Sequence, residues 1–148
     1  MYVRINKGTH TIQKMVDLTT LDEEEKFFEG ALKGHIGKLA IDQQGTHIIQ
    51  KITTSFAEIN RQFAFDEITD SFHSVSKTSH GLCVIKKLVA NTTVIENRNK
   101  LIEFCRKNSV ELMQDPYGNY AIQEIMDKWP EQKFVPLLDN PNSILACS

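Results

Sequence analysis

Gly45-Thr-His-Ile-Ile-Gln-Lys-Ile52 and Gly118-Asn-Tyr-Ala-Ile-Gln-Glu-Ile125 are two versions of one pattern, and two further versions stand in register with them. Gly8-Thr-His-Thr-Ile-Gln-Lys-Met15 precedes both, and Gly81-Leu-Cys-Val-Ile-Lys-Lys-Leu88 lies between them, so the glycines follow one another at 37, 36 and 37 residues. Self-similarity at such a period is the signature of stacked supersecondary units. Four places after each glycine stands isoleucine (Ile12, Ile49, Ile85, Ile122), and seven places after it a large aliphatic side chain (Met15, Ile52, Leu88, Ile125). A spacing of three puts the two columns on one face of a helix, and that face is expected to be buried.

The helix starts follow from the residues upstream. Three places before the glycine stand Asp42, Thr78 and Asp115, each suited to an N-cap, where a side-chain oxygen accepts from an unpaired backbone N–H. Pro116 then falls at the first helical position, where its missing N–H costs nothing. In the first segment Ile5 holds the cap position. Second helical patterns lie between the glycine helices: one opened by Asp22, Glu23, Glu24 and Glu25 and carried on by Phe27, Phe28, Ala31 and Leu32; one from Asn60 to Ser74 with Phe63, Phe65, Ile68 and Phe72; and one from Val94 to Lys107 with Leu101, Ile102, Phe104 and Cys105. The acidic run reads as a helix start, favoured by the helix dipole, and not as a metal site. Ile36–Ala40 and Val110–Met113 read as short apolar turns entering the next glycine helix.

No unit of this size buries its own apolar face, so the units must stack. The expected fold is all-α, an α-solenoid of about four units in one array over 1–148. The units are a partial repeat at 1–20, repeats at about 21–57, 58–93 and 94–129, and a partial repeat at 130–148. Both ends then cut a repeat, which suggests a fragment of a longer array or a divergent protein. Apolar stacking surface left open in this way is expected to favour self-association.

Length and composition agree with one globular array: 148 residues, 41% hydrophobic and 24% charged. With 17 Lys+Arg against 19 Asp+Glu the net charge is −2, which excludes binding of polyanions through bulk charge and requires any nucleic-acid role to rest on a local surface. No apolar run approaches the roughly 18 residues of a membrane span, and Met1–Lys7 shows no hydrophobic leader core. Cys83, Cys105 and Cys147 are odd in number and far apart, which argues against a disulfide framework or zinc site and for a reducing compartment, the cytoplasm. His35, His73 and His80 form no metal-ligand spacing. No nucleophile triad, phosphate loop or metalloprotease helix is present, so no enzyme is expected and no cofactor is implied.

The first, second and fifth places after each glycine carry the chemistry. They read Thr9, His10, Gln13; Thr46, His47, Gln50; Leu82, Cys83, Lys86; and Asn119, Tyr120, Gln123. The first and fifth are four apart and point the same way. The second is turned by about 100° and holds a flat ring in three of the four units. Two polar side chains gripping a base edge, with flat groups stacking on its faces, is how helical repeats read single-stranded RNA.

The period, the glycine and the Gly-Asn-Tyr-x-x-Gln pattern resemble Pumilio-type (PUF) repeats over nearly the whole chain. Asp115-Pro-Tyr-Gly-Asn-Tyr-Ala-Ile-Gln123 is the most specific stretch, with Ser79-His-Gly-Leu-Cys-Val-Ile-Lys86 and Gly45-Thr-His-Ile-Ile-Gln-Lys51 also close. The resemblance implies a right-handed α-α superhelix, a curved crescent fragment akin to the third to sixth of eight repeats. It implies one base per repeat, RNA running antiparallel to the chain, and binding to mRNA 3′ untranslated regions. It also implies that translation is repressed or decay hastened through recruited deadenylase or repressor proteins.

Carried over unit by unit, the resemblance makes Asn119 and Gln123 the uracil-reading pair and Tyr120 the stacking residue. Gln13 and Gln50 keep the edge-reading amide, and His10 and His47 can stack. Thr9 and Thr46 depart from the usual Asn, Cys or Ser, and their short hydroxyls point to adenine or a relaxed adenine/uracil preference. The third unit departs most: Leu82 cannot hydrogen-bond, Cys83 stacks poorly and Lys86 only donates. Grip on phosphate, tolerance of any base, or a base turned out are the outcomes open to it. A lysine column, Lys14, Lys51 and Lys87, is broken by Glu124 and reads equally as phosphate contacts or as solvated surface. Against sequence-selective RNA binding stand two rivals: a helical-repeat adaptor for a protein partner, and a ribosome-assembly factor that holds RNA without reading bases.

Overall fold

The aliphatic columns turn inward in the second, third and fourth units. Ile49, Ile85 and Ile122 are buried, as are Ile52, Leu88 and Ile125. The computed structural model describes residues 9–18 and 22–130, and every regular element among them is a helix. After α1 (Thr9–Leu18), three sets of long, short and long helices follow. They are α2 (Asp22–Leu32), α3 (Ile36–Ile41) and α4 (Gly45–Ser55); α5 (Gln62–Asp70), α6 (Phe72–Val75) and α7 (Ser79–Asn91); and α8 (Ile95–Lys107), α9 (Ser109–Gln114) and α10 (Gly118–Lys128).

The glycine helices form one layer, α1 against α4, α4 against α7, and α7 against α10. In the other layer α5 packs on α8, and the short helices wedge between the layers, α3 touching α4, α5 and α7. One continuous core results, with Phe28, Leu32, Ile36, Phe63, Ile68, Phe72, Leu101 and Leu112 filling the space between layers. This is an α-solenoid, as the stacking argument requires.

Polar side chains lock each unit to the next. Glu25 closes the acidic run, yet it is buried. Its Oε2 accepts from Asn60 Nδ2 at 2.7 Å and from the Ala57 amide at 3.2 Å, one unit further on. Glu58 repeats the device, accepting from the Thr93 and Val94 amides at 2.8 and 3.1 Å and from the Thr93 hydroxyl, at the entry to α8. Gln62 and Asn97 exchange amide hydrogen bonds at 2.8 and 3.0 Å across the same joint.

Several expectations are corrected. Met15 is not core: it is 47% exposed and lines a hollow of roughly 250 Å³ with Leu18, Phe27 and Phe28, because no described element packs on that side of α1 and α2. Asn60–Ser74 is not one helix. The chain leaves helical geometry at Ser71 (φ −101°, ψ 12°), and α6 then seats Phe72 and Val75 in the core. Ile36–Ala40 and Val110–Met113 are short helices, not turns. The last partial repeat lies, apart from Pro130, outside the described residues, as do the side chain of Ile12 and the cap position Ile5. No helix among the described residues is long and apolar enough to cross a membrane.

Candidate nucleic-acid interface

Three side chains bracket the helix starts. Thr78 is the N-cap of α7, whereas α4 and α10 begin at the glycine, so Asp42 and Asp115 cap the turn that leads in, and Pro116 lies in that turn, not at the first helical position. Asp42 Oδ2 accepts from the Gln44 and Gly45 amides at 2.9 and 2.7 Å, while its carbonyl takes the Thr46 amide at 3.0 Å. Asp115 does the same for Tyr117 and Gly118 at 2.9 and 2.8 Å and for Asn119 at 3.1 Å. Thr78 Oγ1 accepts from Gly81 at 3.0 Å, and its carbonyl from Leu82 at 2.9 Å. Each cap therefore binds the glycine through its side chain and the first reading position through its backbone.

The fourth unit presents its trio at the surface. Gln123 Nε2 donates to Asn119 Oδ1 at 2.9 Å, and Tyr120 stands beside them, 53% exposed. This leaves the Asn119 amide donors and Gln123 Oε1 for a ligand, with a ring for a flat partner. The second unit is built differently. His47 is exposed and Gln50 half-buried, but Thr46 is only 1% exposed. Gln50 Nε2 donates to Thr46 Oγ1 at 3.2 Å, and Thr46 Oγ1 donates to the His80 carbonyl at 3.2 Å, on the next glycine helix.

In the third unit Leu82 is half-buried against the core, whereas Cys83 and Lys86 are exposed. Thr9, His10 and Gln13 lie on α1, their side chains outside those described. Lys14 and Lys87 are exposed and Lys51 is half-buried. The structure thus brings His47, Gln50, Cys83, Lys86, Asn119, Tyr120 and Gln123 onto one layer, turns Thr46 away from solvent and leaves Leu82 half-buried. His80, which forms no metal-ligand spacing in the sequence, receives the Thr46 hydroxyl proton. The group involved is a backbone carbonyl, which every residue type offers, so no signal in the sequence marks it.

Charge is sorted along only part of each layer: α8 carries Arg98, Lys100, Arg106 and Lys107 against Glu96 and Glu103, and the glycine helix α10 carries Glu124 and Asp127 against Lys128. Helices α4 and α7 carry Lys51, Lys86 and Lys87 with no acidic residue between them. Helices α2 and α5 carry Asp22, Glu23, Glu24, Glu25, Glu29, Asp66, Glu67 and Asp70. The two central glycine helices therefore carry no carboxylate of their own, and a polyanion meeting them would find cations there. No cluster of three or more metal-ligating side chains occurs among the described residues. Burial pushes the Cys105 thiol up to about 12, which leaves it an inert core residue.

Comparison with known proteins now identifies the repeat. Residues 35–69 and 108–140 match the Pumilio-family RNA binding repeat. The chain belongs to the Pumilio-type repeat family. It is 30% identical over 120 residues to "Putative pumilio homolog 8, chloroplastic" of Arabidopsis thaliana, covering 81% of this chain and 23% of that protein. It is 33% identical over 114 residues to "Pumilio homology domain family member 4" of Saccharomyces cerevisiae, covering 75% of this chain and 12% of that protein. The chain spans less than a quarter of the length of these relatives. Among solved structures, a Puf4 RNA binding domain bound to an HO endonuclease RNA 3′ UTR recognition sequence superposes with a TM-score of 0.78 at 31% identity, over 86% of this chain and 39% of that one. A Puf3 RNA binding domain bound to a Cox17 RNA 3′ UTR sequence shares the fold, with a TM-score of 0.74 at 21% identity over 88% of this chain and 36% of that one.

Proposed function

We propose that this chain binds single-stranded RNA along its row of glycine helices, one base to a unit, and so selects mRNA 3′ untranslated regions for repression or decay in the cytoplasm. The observation that carries the reading is the Asn119–Gln123 pair beside exposed Tyr120: a preset polar edge-grip next to a ring on a helix surface. Uracil fits that grip, since its edge offers an N–H between two carbonyl oxygens. In the second unit Gln50 meets the base edge, with Thr46 at its side, and His47 stacks. His10, Gln13 and Thr9 act alike in the first, with adenine or relaxed adenine/uracil preference in both. Lys86, Lys14, Lys51 and Lys87 serve the phosphates, with Cys83 and Leu82 leaving the third base unread. Similarity to the RNA-bound Puf4 domain supports this reading. Deadenylase or repressor proteins would be recruited to the bound mRNA.

Selection from randomised RNA by the intact chain tests it. Uracil enriched opposite the fourth unit is the expected result; no enrichment at any position refutes base reading. One observation favours the adaptor alternative. On the other layer a groove runs between α5 and α8, floored by Phe104 and edged by Glu96, Lys100, Glu103 and Lys107. An adaptor would lose partner binding when this groove is altered and would leave RNA pools unchanged.

A further inference from the structure

Thr46 stands at the position matching Asn119, yet the two are disposed in opposite ways. Asn119 is half-buried at the surface and accepts from Gln123. Thr46 is almost wholly buried, its oxygen 3.2 Å from the His80 carbonyl and 3.2 Å from Gln50 Nε2. A hydroxyl owns one proton, and a carbonyl oxygen can only accept. The Thr46 proton is therefore committed to His80, and the hydroxyl can only accept from Gln50. This in turn decides which way the Gln50 amide faces: Nε2 inward to Thr46, Oε1 outward.

We propose that Thr46 is a positioning residue that touches no base, and that it acts on RNA only by holding Gln50 in one orientation through a relay to the backbone of the next unit. The proposal rests on the reading of α4 as an RNA-facing helix. Its consequence for recognition is specific. In the fourth unit two side chains can contribute to the base edge; in the second, one amide offers Oε1 as acceptor and the remaining Nε2 proton as donor. Every nucleobase has an N–H adjacent to an acceptor on its Watson–Crick edge. A single amide therefore discriminates less than the Asn119–Gln123 pair, and the second unit holds a base while choosing loosely among bases.

The free 148-residue chain gives the first test. In NMR spectra the Gln50 side-chain amide protons should differ from those of exposed glutamines, with one shifted downfield and protected from exchange. Thr46→Val should return them to exposed values while the core methyl signals of Ile49 and Leu88 stay in place, and Thr46→Ser should restore the signature. A Gln50 signature that persists in Thr46→Val overturns the proposal without any RNA present. The second test is a double-mutant cycle on RNA affinity. Thr46→Val alone should weaken binding by up to about tenfold, the effect of one hydrogen bond, and should have no further effect once Gln50→Ala is present. An equal loss in both backgrounds would mean that Thr46 touches the base, and the proposal fails. If the unaltered chain binds no RNA while the Gln50 signature is intact, the functional reading fails and takes the base-holding half of this proposal with it. In the randomised pool, a selectivity opposite the second unit as sharp as that opposite the fourth would likewise overturn it.

Discussion

Gly81 approaches Val75 so closely that a Cβ built on it would stand 1.8 Å from the Val75 carbonyl oxygen. The same approach recurs six residues upstream of the other described repeat glycines, 2.9 Å from Leu39 O at Gly45 and 2.8 Å from Leu112 O at Gly118. The glycine therefore marks a close approach of the glycine helix to the short helix before it, and its recurrence needs no role in RNA binding. Gly81→Ala should destabilise the fold by about 1–3 kcal/mol or more through overpacking against backbone. Gly30 is the control: inside α2, with nothing within 4 Å of a built Cβ, Gly30→Ala should stabilise by about 0.5–1 kcal/mol. Urea melts of both variants decide the matter; equal effects would sink the steric account.

Tyr120 supplies the exposed ring of the fourth unit. Tyr120→Ala should cost about 1–3 kcal/mol of RNA affinity, as expected when one base loses its stacking partner. Fluorescence titration with a uracil-containing oligomer measures it, and the melting temperature should not move, since the ring packs little of the core.

The lysines of α4 and α7 make a prediction about salt. Removing Lys51, Lys86 and Lys87 together should flatten the dependence of log affinity on log salt, by about 0.7 for each phosphate of a single strand that is no longer neutralised. Binding isotherms at several salt concentrations read the slope. An unchanged slope would return these lysines to ordinary solvated surface.

Carboxylates at the joints between units should make the fold acid-sensitive. Burial raises the Glu58 carboxyl, but hydrogen bonds from Thr93 and Val94 outweigh it, and the net is a value below the ordinary 4.5. Hydrogen bonding to Asn60 holds Asp22 low, and the Lys77 ammonium does so for Glu111. A folded-state pKa below the unfolded one adds stability that is fully present above the unfolded value and fades as pH falls through the folded value. Melting temperature should therefore hold steady near neutrality and drop as pH falls below 4.5, the ordinary value for Glu58. Glu58→Gln should reduce the steepness of that drop; thermal melts across the acid range test it.

The hollow formed by Met15, Leu18, Phe27 and Phe28 leaves apolar side chains exposed. If it drives self-association, sedimentation should show mass rising with concentration, and Phe27→Glu should suppress the rise.

The period and the solenoid could be inferred from the chain alone, because they depend on spacing. The columns at Ile49 and Ile52 and the caps at Asp42 and Asp115 are set by neighbours a few residues away. What could not be read depends on partners a whole unit away. Nothing in a threonine at position 46 distinguishes an open base contact from a hydroxyl donating to His80. Nothing in Asp22-Glu-Glu-Glu25 says that the last carboxylate is buried against Asn60. The break at Ser71 escaped for another reason: Phe63, Phe65, Ile68 and Phe72 are apolar on both sides of it, with no glycine or proline between.

The bond from Thr46 to the His80 carbonyl bears on any attempt to rewrite this chain by shuffling its units. A segment lifted out as Asp22–Ser55 would carry its glutamine but leave behind the oxygen that orients it. A graft would therefore have to run past residue 80, or meet a new neighbour whose glycine helix sets a backbone carbonyl at the same point.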